Sequence, residues 1–323
     1  MKVKWGVLGT AAIAKGCTIP GMLLAEHCEL FAIAGRNEEK AAAYAEKFGF
    51  KKYYVGYDKL IEDPEVQALY IPLPNHLHKE WVLKALKAGK HVLCEKPMAI
   101  NAADSEKMYS VAKENNVFLM EAYAYLHTPY VAMLKEIIDS GEIGTVEYIE
   151  SAFVTQGYTE DIRLYKEQGG GALYDLGCYC TTMILSLIGS EPVFVKADAE
   201  FSELGVDLQT SAILRFENGC RGAFNVGMIL GKDTGARFDR LYVHGSEGYI
   251  KSEVEYNRQG EVSFTVCTKA GKTTRTVTNP QNYSLEVENL SLSVLGEATP
   301  FVSPEFSIRN AKLLDRVLAE IGY

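Results

Sequence analysis

Short apolar runs alternate with segments of helical period along the first part of the chain. The apolar runs predict strands at residues 2–8, 29–34, 67–73, 91–95 and 117–123. The segments between them are rich in Ala, Glu, Lys and Leu and predict helices at 38–48, 78–88 and 104–114. Strands that alternate with helices of this length are typical of βαβ units around a parallel sheet. We therefore predict an α/β fold whose first domain, residues 1–122, is doubly wound.

The pattern changes after residue 123. The periodicity here predicts a strand at about 145–156 and helices at about 130–140 and 172–187. From 193 to 277, strand-like runs are separated by turn signals such as Asn218-Gly219, a strong indication of a hairpin. Ser303-Pro304 predicts the start of a last helix at about 304–321. We predict a second domain, residues 123–323, of α+β class with an open, mainly antiparallel sheet. Packing of the last helix back on the first domain is left open.

Composition narrows the class of protein. The chain has 323 residues, 47% hydrophobic and 23% charged, which is enough for the cores of about two domains. A net charge of −9 without any basic block argues against a nucleic-acid partner. The sequence has neither an apolar signal core nor a stretch of roughly 20 apolar residues, so we expect a cytoplasmic protein without a membrane partner. Seven irregularly spaced cysteines fit buried thiols in a reducing compartment, and no metal is expected.

A strand, a turn of small residues and a helix start lie at residues 3–14. Dinucleotide-binding folds usually carry Gly-x-Gly-x-x-Gly here, for a tight turn, close approach to the pyrophosphate and close helix packing. The matching residues are Gly9, Ala11 and Ala14, so alanine replaces the second glycine. Taken alone, the pattern is compatible both with cofactor binding and with simple packing.

Arg36 lies at the tip of the second predicted strand, within Gly35-Arg36-Asn37. NAD-binding folds usually have Asp or Glu near this point, to bind the ribose hydroxyls. A carboxylate would repel the 2′-phosphate of NADP, whereas a guanidinium pairs with it. The residue therefore predicts NADP in preference to NAD, and the alternative is an ordinary surface arginine.

Two further polar segments follow predicted strands, where ligands of such sheets bind. One runs from Pro72 to His78, and its two prolines restrict the turn and leave Asn75 and His78 for the crevice. Hydrogen bonding or helix capping is a better interpretation of its histidines than a metal site. The other is Glu95-Lys96-Pro97, in which a lysine held extended before proline directs its ammonium towards the crevice. A surface ion pair is the alternative for Lys96.

Three glycines, Gly169 to Gly171, precede the helix predicted at 172–187. Glycine lets the backbone approach a ligand closely. Asp175 and Tyr179 are four residues apart on that helix and so share a face. A carboxylate and a phenol beside such a loop indicate a polar site. The alternative is that Tyr179 packs in the core and Asp175 makes a structural hydrogen bond.

These motifs in this order resemble the glucose–fructose oxidoreductase/inositol dehydrogenase/rhizopine-catabolism (Gfo/Idh/MocA) family over nearly the whole chain. The most specific elements are Glu95-Lys96-Pro97 and the glycine-rich helix start with Asp175 and Tyr179. Many members carry His at the position of Tyr179. The tyrosine, with Asp161-Ile162-Arg163 and Met120-Glu121-Ala122, is similar to the branch of dihydrodiol dehydrogenases, aldose 1-dehydrogenases and glucose–fructose oxidoreductase.

The resemblance implies a Rossmann domain followed by an α+β substrate and oligomerisation domain. It also implies hydride transfer between a nicotinamide cofactor, NADP or else NAD, and a sugar, polyol or dihydrodiol. Lys96 and Tyr179 would be the catalytic pair, and Asp175 and Arg163 would bind substrate. The implied cofactor contacts are Gly9, Thr10, Ala11, Ala12, Ile13, Arg36, Pro72, Leu73, Pro74, Asn75, His78, Glu95 and Lys96.

The resemblance also implies a homodimer or homotetramer. An NAD-dependent glycosidase of the same fold and a noncatalytic NADP-sensing protein are the alternatives. Related sequences carry Arg where this chain has Leu126, and this departure leaves the substrate open.

Overall fold

A computed structural model describes residues 1–232, 234–253 and 255–323. Internal contacts divide the chain into two compact units. The first unit contains residues 1–127 and 281–308, and the second contains residues 128–280 and 309–323. The predicted boundary at residue 122 remains a prediction, while the contact division adds a segment distant in sequence, 281–308, to the first unit.

The described residues of the first unit form a parallel sheet of six strands in the order β3-β2-β1-β4-β5-β6. The strands are β1 (Val3–Leu8), β2 (Cys28–Gly35), β3 (Lys52–Val55), β4 (Ala68–Ile71), β5 (His91–Glu95) and β6 (Leu119–Ala122). The central strands are continuous apolar runs because both of their faces are buried. The order reverses between β1 and β4, which is the point where doubly wound sheets bind ligands beyond the carboxyl ends of their strands.

The helices of the first unit begin and end at residues with clear local causes. They are α1 (Ile19–Leu24), preceded by a π-helical turn (Ala14–Thr18), α2 (Glu38–Phe48), α3 (Tyr57–Glu62), α4 (Asn75–Lys87), α5 (Ala102–Glu114) and α8 (Asn282–Val294). Asn37 caps α2 by accepting a hydrogen bond from Lys40 N at 2.8 Å, and Gly49 ends it with a φ of +79°. Helix α8 packs beside β1, where Trp5 Nε1 donates to Ser291 Oγ at 3.0 Å.

The described residues of the second unit form an eight-stranded sheet in the order β14-β13-β12-β11-β7-β10-β9-β8. Its strands are β7 (Val146–Gln156), β8 (Pro192–Phe201), β9 (Asp207–Phe216), β10 (Arg221–Leu230), β11 (Arg237–Gly245), β12 (Gly248–Ser252), β13 (Gly260–Thr268) and β14 (Gly271–Asn279). Only β7 and β10 pair in parallel among these strands. The hairpin predicted at Asn218-Gly219 joins β9 to β10, and Gly219 has a φ of +86°.

Helices cover this sheet. They are α6 (Pro129–Asp139), the π-helical turn Leu173–Gly177, α7 (Cys178–Ile188) and α9 (Pro304–Ile321), of which residues 304–308 belong to the first unit. The stretch Lys166–Ile188 is long and apolar enough to cross a membrane on length and composition alone. Its apolar window is 83% buried inside the protein, as in a core helix, so it is weak support for a membrane span.

The predicted fold class is confirmed: a parallel doubly wound sheet and a mostly antiparallel second sheet. Helix α2 has the predicted bounds, and β5 does as well. The elements that were not predicted include β3, α3 and α8. The first two are short, and α8 is rich in Ser and Asn, which have low helix propensity, so packing rather than local preference forms it.

Candidate active site

The turn after β1 has a backbone that only glycine adopts readily. Gly9 has a φ of +129°, and a Cβ there would lie 3.2 Å from Leu73 Cδ2. Its N–H donates to Ala34 O at 2.9 Å, which ties the turn to the end of β2. The next four residues, Thr10 to Ile13, are partly or fully exposed. The turn therefore presents open backbone at the carboxyl ends of β1 and β2.

Arg36 is exposed at the tip of β2, and its guanidinium is close enough to the phenol of Tyr57 for its charge to act on that group. Burial raises the pKa of Tyr57, while the charge of Arg36 acts in the opposite direction. The Tyr57 hydroxyl lies 3.8 Å from the place that a Cβ on Gly9 would take. Arg36, Tyr57 and Gly9 therefore surround one turn. Sequence reasoning missed Tyr57, although Gly56 with a φ of +90° marks the turn before it.

His78 connects the loops that follow β4 and β5. It is fully buried, with Nε2 at 2.7 Å from Leu73 O and Nδ1 at 3.0 Å from Pro97 O. Burial lowers its pKa to about 4, so the neutral ring donates to one of these carbonyls. Pro72 and Leu73 are buried, whereas Pro74 and Asn75 are partly exposed. Among the predicted cofactor contacts of this segment, Pro74 and Asn75 present surface, whereas both ring nitrogens of His78 face the protein's own backbone.

Glu95, the last residue of β5, ends a chain of buried hydrogen bonds. Thr18 Oγ1 donates to Tyr70 Oη at 2.8 Å, and that phenol donates to Glu95 Oε1 at 2.5 Å. Glu286 of α8 is fully buried nearby, and neither of its carboxyl oxygens has a hydrogen-bond partner in the described structure. Burial first, and then the charge of Glu95, raise the pKa of Glu286 well above its usual range. Burial and the charge of Glu95 therefore both favour the neutral form of Glu286.

Lys96 is partly exposed, while Pro97 and Met98 after it are buried. The peptide bond between Lys96 and Pro97 is cis. Met98 N donates to Glu121 Oε1 at 2.8 Å, and His78 contacts the carbonyl of Pro97. The segment that carries Lys96 is thus held by two buried side chains. Sequence reasoning missed this role of Glu121, because the two strands that bring it there are separate in sequence.

The glycine-rich turn of the second unit is held by a buried aspartate. Asp207 Oδ2 accepts from Leu173 N at 2.8 Å and from Thr210 Oγ1 at 2.6 Å. A Cβ on Gly171, whose φ is +108°, would collide with Asp207 Oδ1. Tyr323 Oη donates to Gly170 O at 2.8 Å. Burial raises the pKa of Asp207 to about 6.

Between Gly169 and Cys180, every residue other than Asp175 and Tyr179 is buried. Asp175 Oδ2 accepts from Arg163 Nε at 2.6 Å, and Arg163 Nη1 donates to Asp161 Oδ1 at 3.0 Å. The charge of Asp175, more than any other group, raises the pKa of Arg163. The two predicted substrate residues therefore form an ion pair with each other.

The ring of Tyr179 is held by aromatic neighbours that sequence reasoning missed. Its centroid lies 5.5 Å from that of Phe153 and 5.4 Å from that of Tyr256. Asn257 Nδ2 lies 3.4 Å from the Tyr179 hydroxyl. The inward-facing positions of β7 were the available signal for Phe153. These contacts orient the phenol of Tyr179 while leaving it partly exposed.

Three further facts bear on the site: the absence of a metal-binding group among the described residues, the burial of Leu126, and the unit to which Lys96 and Tyr179 each belong. Among the described residues, no group of three or more His, Cys, Asp or Glu side chains could hold a metal ion. Leu126 is buried in the short 3-10 helix Ala124–His127. Lys96 belongs to the first unit and Tyr179 to the second.

Residues 3–123 match the family model of the oxidoreductases with an NAD-binding Rossmann fold, and residues 131–251 match the Gfo/Idh/MocA C-terminal domain. The chain belongs to the Gfo/Idh/MocA oxidoreductase family. The predicted family, oxidoreductase class and nicotinamide dinucleotide cofactor are thereby confirmed. The individual site residues stay predictions.

Members of this family with full-length similarity include sugar and diol dehydrogenases. A D-xylose 1-dehydrogenase (NADP(+)) from Haloferax volcanii is 30% identical, with 98% of each chain covered. A trans-1,2-dihydrobenzene-1,2-diol dehydrogenase from Xenopus laevis is 31% identical, covering 100% of this chain and 99% of the relative. A 3-ketoreductase from Actinomadura kijaniata, crystallised with NADP and TDP-benzene, is 28% identical with a TM-score of 0.93, covering 99% of this chain and 98% of that one.

Proposed function

We propose that this Gfo/Idh/MocA protein is an NADP-linked dehydrogenase or reductase that acts on a CH–OH or carbonyl carbon of a sugar, polyol or dihydrodiol. The observation that carries the proposal is the exposure pattern of the helix start. Asp175 and Tyr179 alone reach the surface there, four residues apart on an otherwise buried stretch. A family of NAD-binding oxidoreductases needs an acid/base group and a hydroxyl-binding group at its substrate, and these two side chains supply both.

The first unit fits a dinucleotide. The missing side chain at Gly9 leaves a cradle that a Cβ would fill, and the exposed backbone after it suits a pyrophosphate. Arg36 would hold the 2′-phosphate of NADP, with the phenol of Tyr57 keeping its guanidinium at the turn. The names of the Haloferax relative and of the ketoreductase complex both include NADP. When bound, the nicotinamide exchanges a hydride with the substrate carbon.

Tyr179 is assigned the proton transfer. In the oxidation direction, the carbinol C–H bond breaks and its hydrogen leaves as hydride, the hydroxyl proton moves to the Tyr179 phenolate, and the carbon–oxygen bond becomes a carbonyl. A free phenol has a pKa near 10 and is a poor base at neutral pH, so a cation is needed to favour its ionised form. We assign that role to the ammonium of Lys96, which also donates to the substrate oxygen. Phe153 and Tyr256 keep the phenol in one orientation.

We assign to Asp175 the binding of a second hydroxyl of the substrate. Its Oδ2 is occupied by Arg163, which fixes the plane of the carboxylate. The carboxylate then accepts a hydrogen bond from a neighbouring hydroxyl, and this selects substrates with two adjacent oxygens. Sugars, polyols and dihydrodiols share that feature.

A substrate panel with NADP and NAD tests the proposal. We expect a change in nicotinamide absorbance with at least one aldose or trans-dihydrodiol, faster with NADP, and its loss in Tyr179→Phe. Cleavage of a glycoside without net absorbance change would favour the glycosidase, and tight NADP binding with no turnover on any diol or aldose would favour the sensor. Either result would overturn the proposal.

We propose further that the protein works in the cytoplasm as a homodimer or homotetramer, without nucleic-acid or membrane partners. The cysteines of the described residues form no disulfide bond, and the net charge of the chain is −9. Exposed apolar side chains lie on β8, β9, β10 and β11 of the second sheet: Val193, Ile213, Ile229 and Phe238. Light scattering after size exclusion measures the mass, and a monomer at micromolar concentration would contradict this assembly.

A further inference from the structure

We propose that Glu121 is the buried counter-ion of Lys96, keeping that lysine both charged and in position for proton transfer. The inference rests on the proposed function, because it assumes that Lys96 acts in the reaction. Glu121 touches neither substrate nor cofactor in this scheme and is a positioning residue. No motif at Glu121 itself pointed to such a role.

Strand pairing places Glu121 beside the segment that carries Lys96. In the register of β5 and β6, Cys94 faces Glu121 and Glu95 faces Ala122, so the lysine follows the last paired residue. The Glu121 side chain is 4% exposed and its Oε1 accepts from Met98 N at 2.8 Å. The Glu121 carboxylate therefore contacts the backbone of the loop that carries Lys96, two residues after the lysine.

The charge of Glu121 requires a partner. An isolated buried carboxylate is strongly disfavoured, and burial does raise the pKa of Glu121. The hydrogen bond from Met98 N opposes this rise most, followed by the hydroxyls of Ser307 and Tyr123 and then by the positive charge of Lys96. Because the attraction is mutual, an ionised Glu121 favours the ammonium form of Lys96.

The other groups around Glu121 do not carry positive charge. They are the Cys94 thiol on β5, the Tyr109 phenol on α5, the Tyr123 phenol after β6 and the Ser307 hydroxyl on α9. Burial raises the pKa of Cys94 and of Tyr109, with a further rise from Glu121 itself, so both stay neutral. Glu305 on α9 adds a further negative charge that acts on Tyr109. Lys96 is thus the cation identified as acting on Glu121.

A purely structural role is the competing explanation, since Glu121 also pins the backbone of Met98. His78 already holds the adjoining Pro97 carbonyl from the other side. Glu121→Gln separates the two roles, because the amide oxygen still accepts from Met98 N but the negative charge is gone. Glu286→Gln is the matched control. It makes the same chemical change at a fully buried glutamate of the same unit, whose neutral form is favoured by burial and by the charge of Glu95.

The experiment measures kcat and kcat/KM against pH for the wild type and both variants, with NADPH affinity from fluorescence. Loss of the anion lowers the pKa of Lys96, so the alkaline limb should move to lower pH by about 1 pH unit or more in Glu121→Gln. NADPH affinity should stay within about twofold, below 0.5 kcal/mol. Glu286→Gln should follow the wild-type profile. A Glu121→Gln profile that overlays the wild type, or an equal shift in Glu286→Gln, would overturn the inference.

A second readout separates this inference from the proposed function. NMR titration of isotope-labelled lysine, with the Lys96 signal identified through Lys96→Arg, reports its pKa without any turnover. A lowered Lys96 pKa in Glu121→Gln supports the counter-ion even if Lys96→Met keeps full activity, in which case the proposed function fails instead. If Glu121→Gln does not fold, Glu121→Met, which also removes the charge, replaces it, with a shift in the same direction expected. An unchanged Lys96 pKa there contradicts the inference.

Discussion

The two units hold their proposed catalytic side chains in different ways. In the first unit, Lys96 lies on a loop after β5, and the backbone of that loop contacts two buried side chains, His78 and Glu121. In the second unit, Tyr179 lies on a helix, and its ring packs between Phe153 and Tyr256. A loop has no hydrogen-bond ladder of its own, so side chains from elsewhere must fix it. A helix fixes its own backbone, so only its start and its rings need support.

Each unit nevertheless uses a buried carboxylate as an acceptor for backbone N–H groups. Glu121 accepts from Met98 in the first unit, and Asp207 accepts from Leu173 in the second. Their surroundings differ, because an ammonium acts on Glu121, whereas Asp207 faces hydroxyls and the phenols of Tyr174 and Tyr323. We infer that the first carboxylate acts through charge and the second through hydrogen bonding.

The largest expected effect contrasts Tyr179 with Lys96. Tyr179→Phe should lower kcat at least about 10²-fold with NADPH affinity retained, because a positioned acid/base group contributes that much. Lys96→Ala should lower kcat and also weaken nicotinamide positioning. Steady-state kinetics and NADPH fluorescence titration measure both. Near-normal turnover in Tyr179→Phe would end the assignment of the phenol.

Arg36→Ala should change cofactor choice and leave the second unit unaffected. Loss of charge-assisted hydrogen bonds to the 2′-phosphate should raise the KM for NADP about 10- to 100-fold, corresponding to about 1.5–3 kcal/mol. The KM for NAD and for the sugar should stay within about twofold, below 0.5 kcal/mol. Lys59→Ala, an exposed cation on α3, is the control. A strong NAD preference in the wild type, with Arg36 dispensable, contradicts the NADP assignment.

Asp207→Ala tests the anchor of the second unit. It leaves Leu173 N and the Thr210 hydroxyl without their acceptor, at an expected cost of about 1–3 kcal/mol in the free energy of unfolding. The KM for substrate should rise while NADPH affinity is unchanged, since Asp175 and Tyr179 follow this helix start. Asp207→Asn keeps an acceptor oxygen and should restore most of the loss. Ser252→Ala, which removes a different buried hydroxyl partner, is the control in urea unfolding. Equal defects in Asp207→Ala and Asp207→Asn would show that charge, not hydrogen bonding, is what the site needs.

The smallest expected effect is an opposite response of the two units to acid. The pKa of His78 falls from 6.5 to about 4 on folding, so its contribution to stability is present above pH 6.5 and lost as the pH falls towards 4. The pKa of Asp207 rises from 3.8 to about 6, so its contribution is full below pH 3.8 and lost as the pH rises through 6. Between pH 7 and about 5, His78 should cost the first unit about 2 kcal/mol and Asp207 should add about 1 kcal/mol to the second.

Hydrogen-exchange protection factors, followed separately for the two units, measure this response. His78→Gln and Asp207→Asn should each abolish the pH dependence of its own unit. Parallel loss of protection in both units on acidification would contradict the assignment.

Local information accounts for what was predicted correctly. A short apolar run located β5, and segments of helical period located α2 and the helix start that carries Asp175 and Tyr179. The roles of Gly9 and Arg36 could be predicted because each follows from the residue's own position at the end of a predicted strand. Helix α8 could not be predicted, because its Ser- and Asn-rich sequence has low helix propensity and becomes helical only when it packs in the first unit.

The sequence by itself determined the family, most of the helices and strands, and the residues first predicted for the site. Only the tertiary structure decided which hydrogen-bond and ion-pair partners these residues have. His78 turned out to contact backbone carbonyls, Arg163 to pair with Asp175, and Glu121 and Asp207 to hold loops that are 23 and 34 positions away in sequence. The physical reason is that a side chain's partners depend on which strand ends meet at a sheet edge, and no local period in the sequence encodes that meeting.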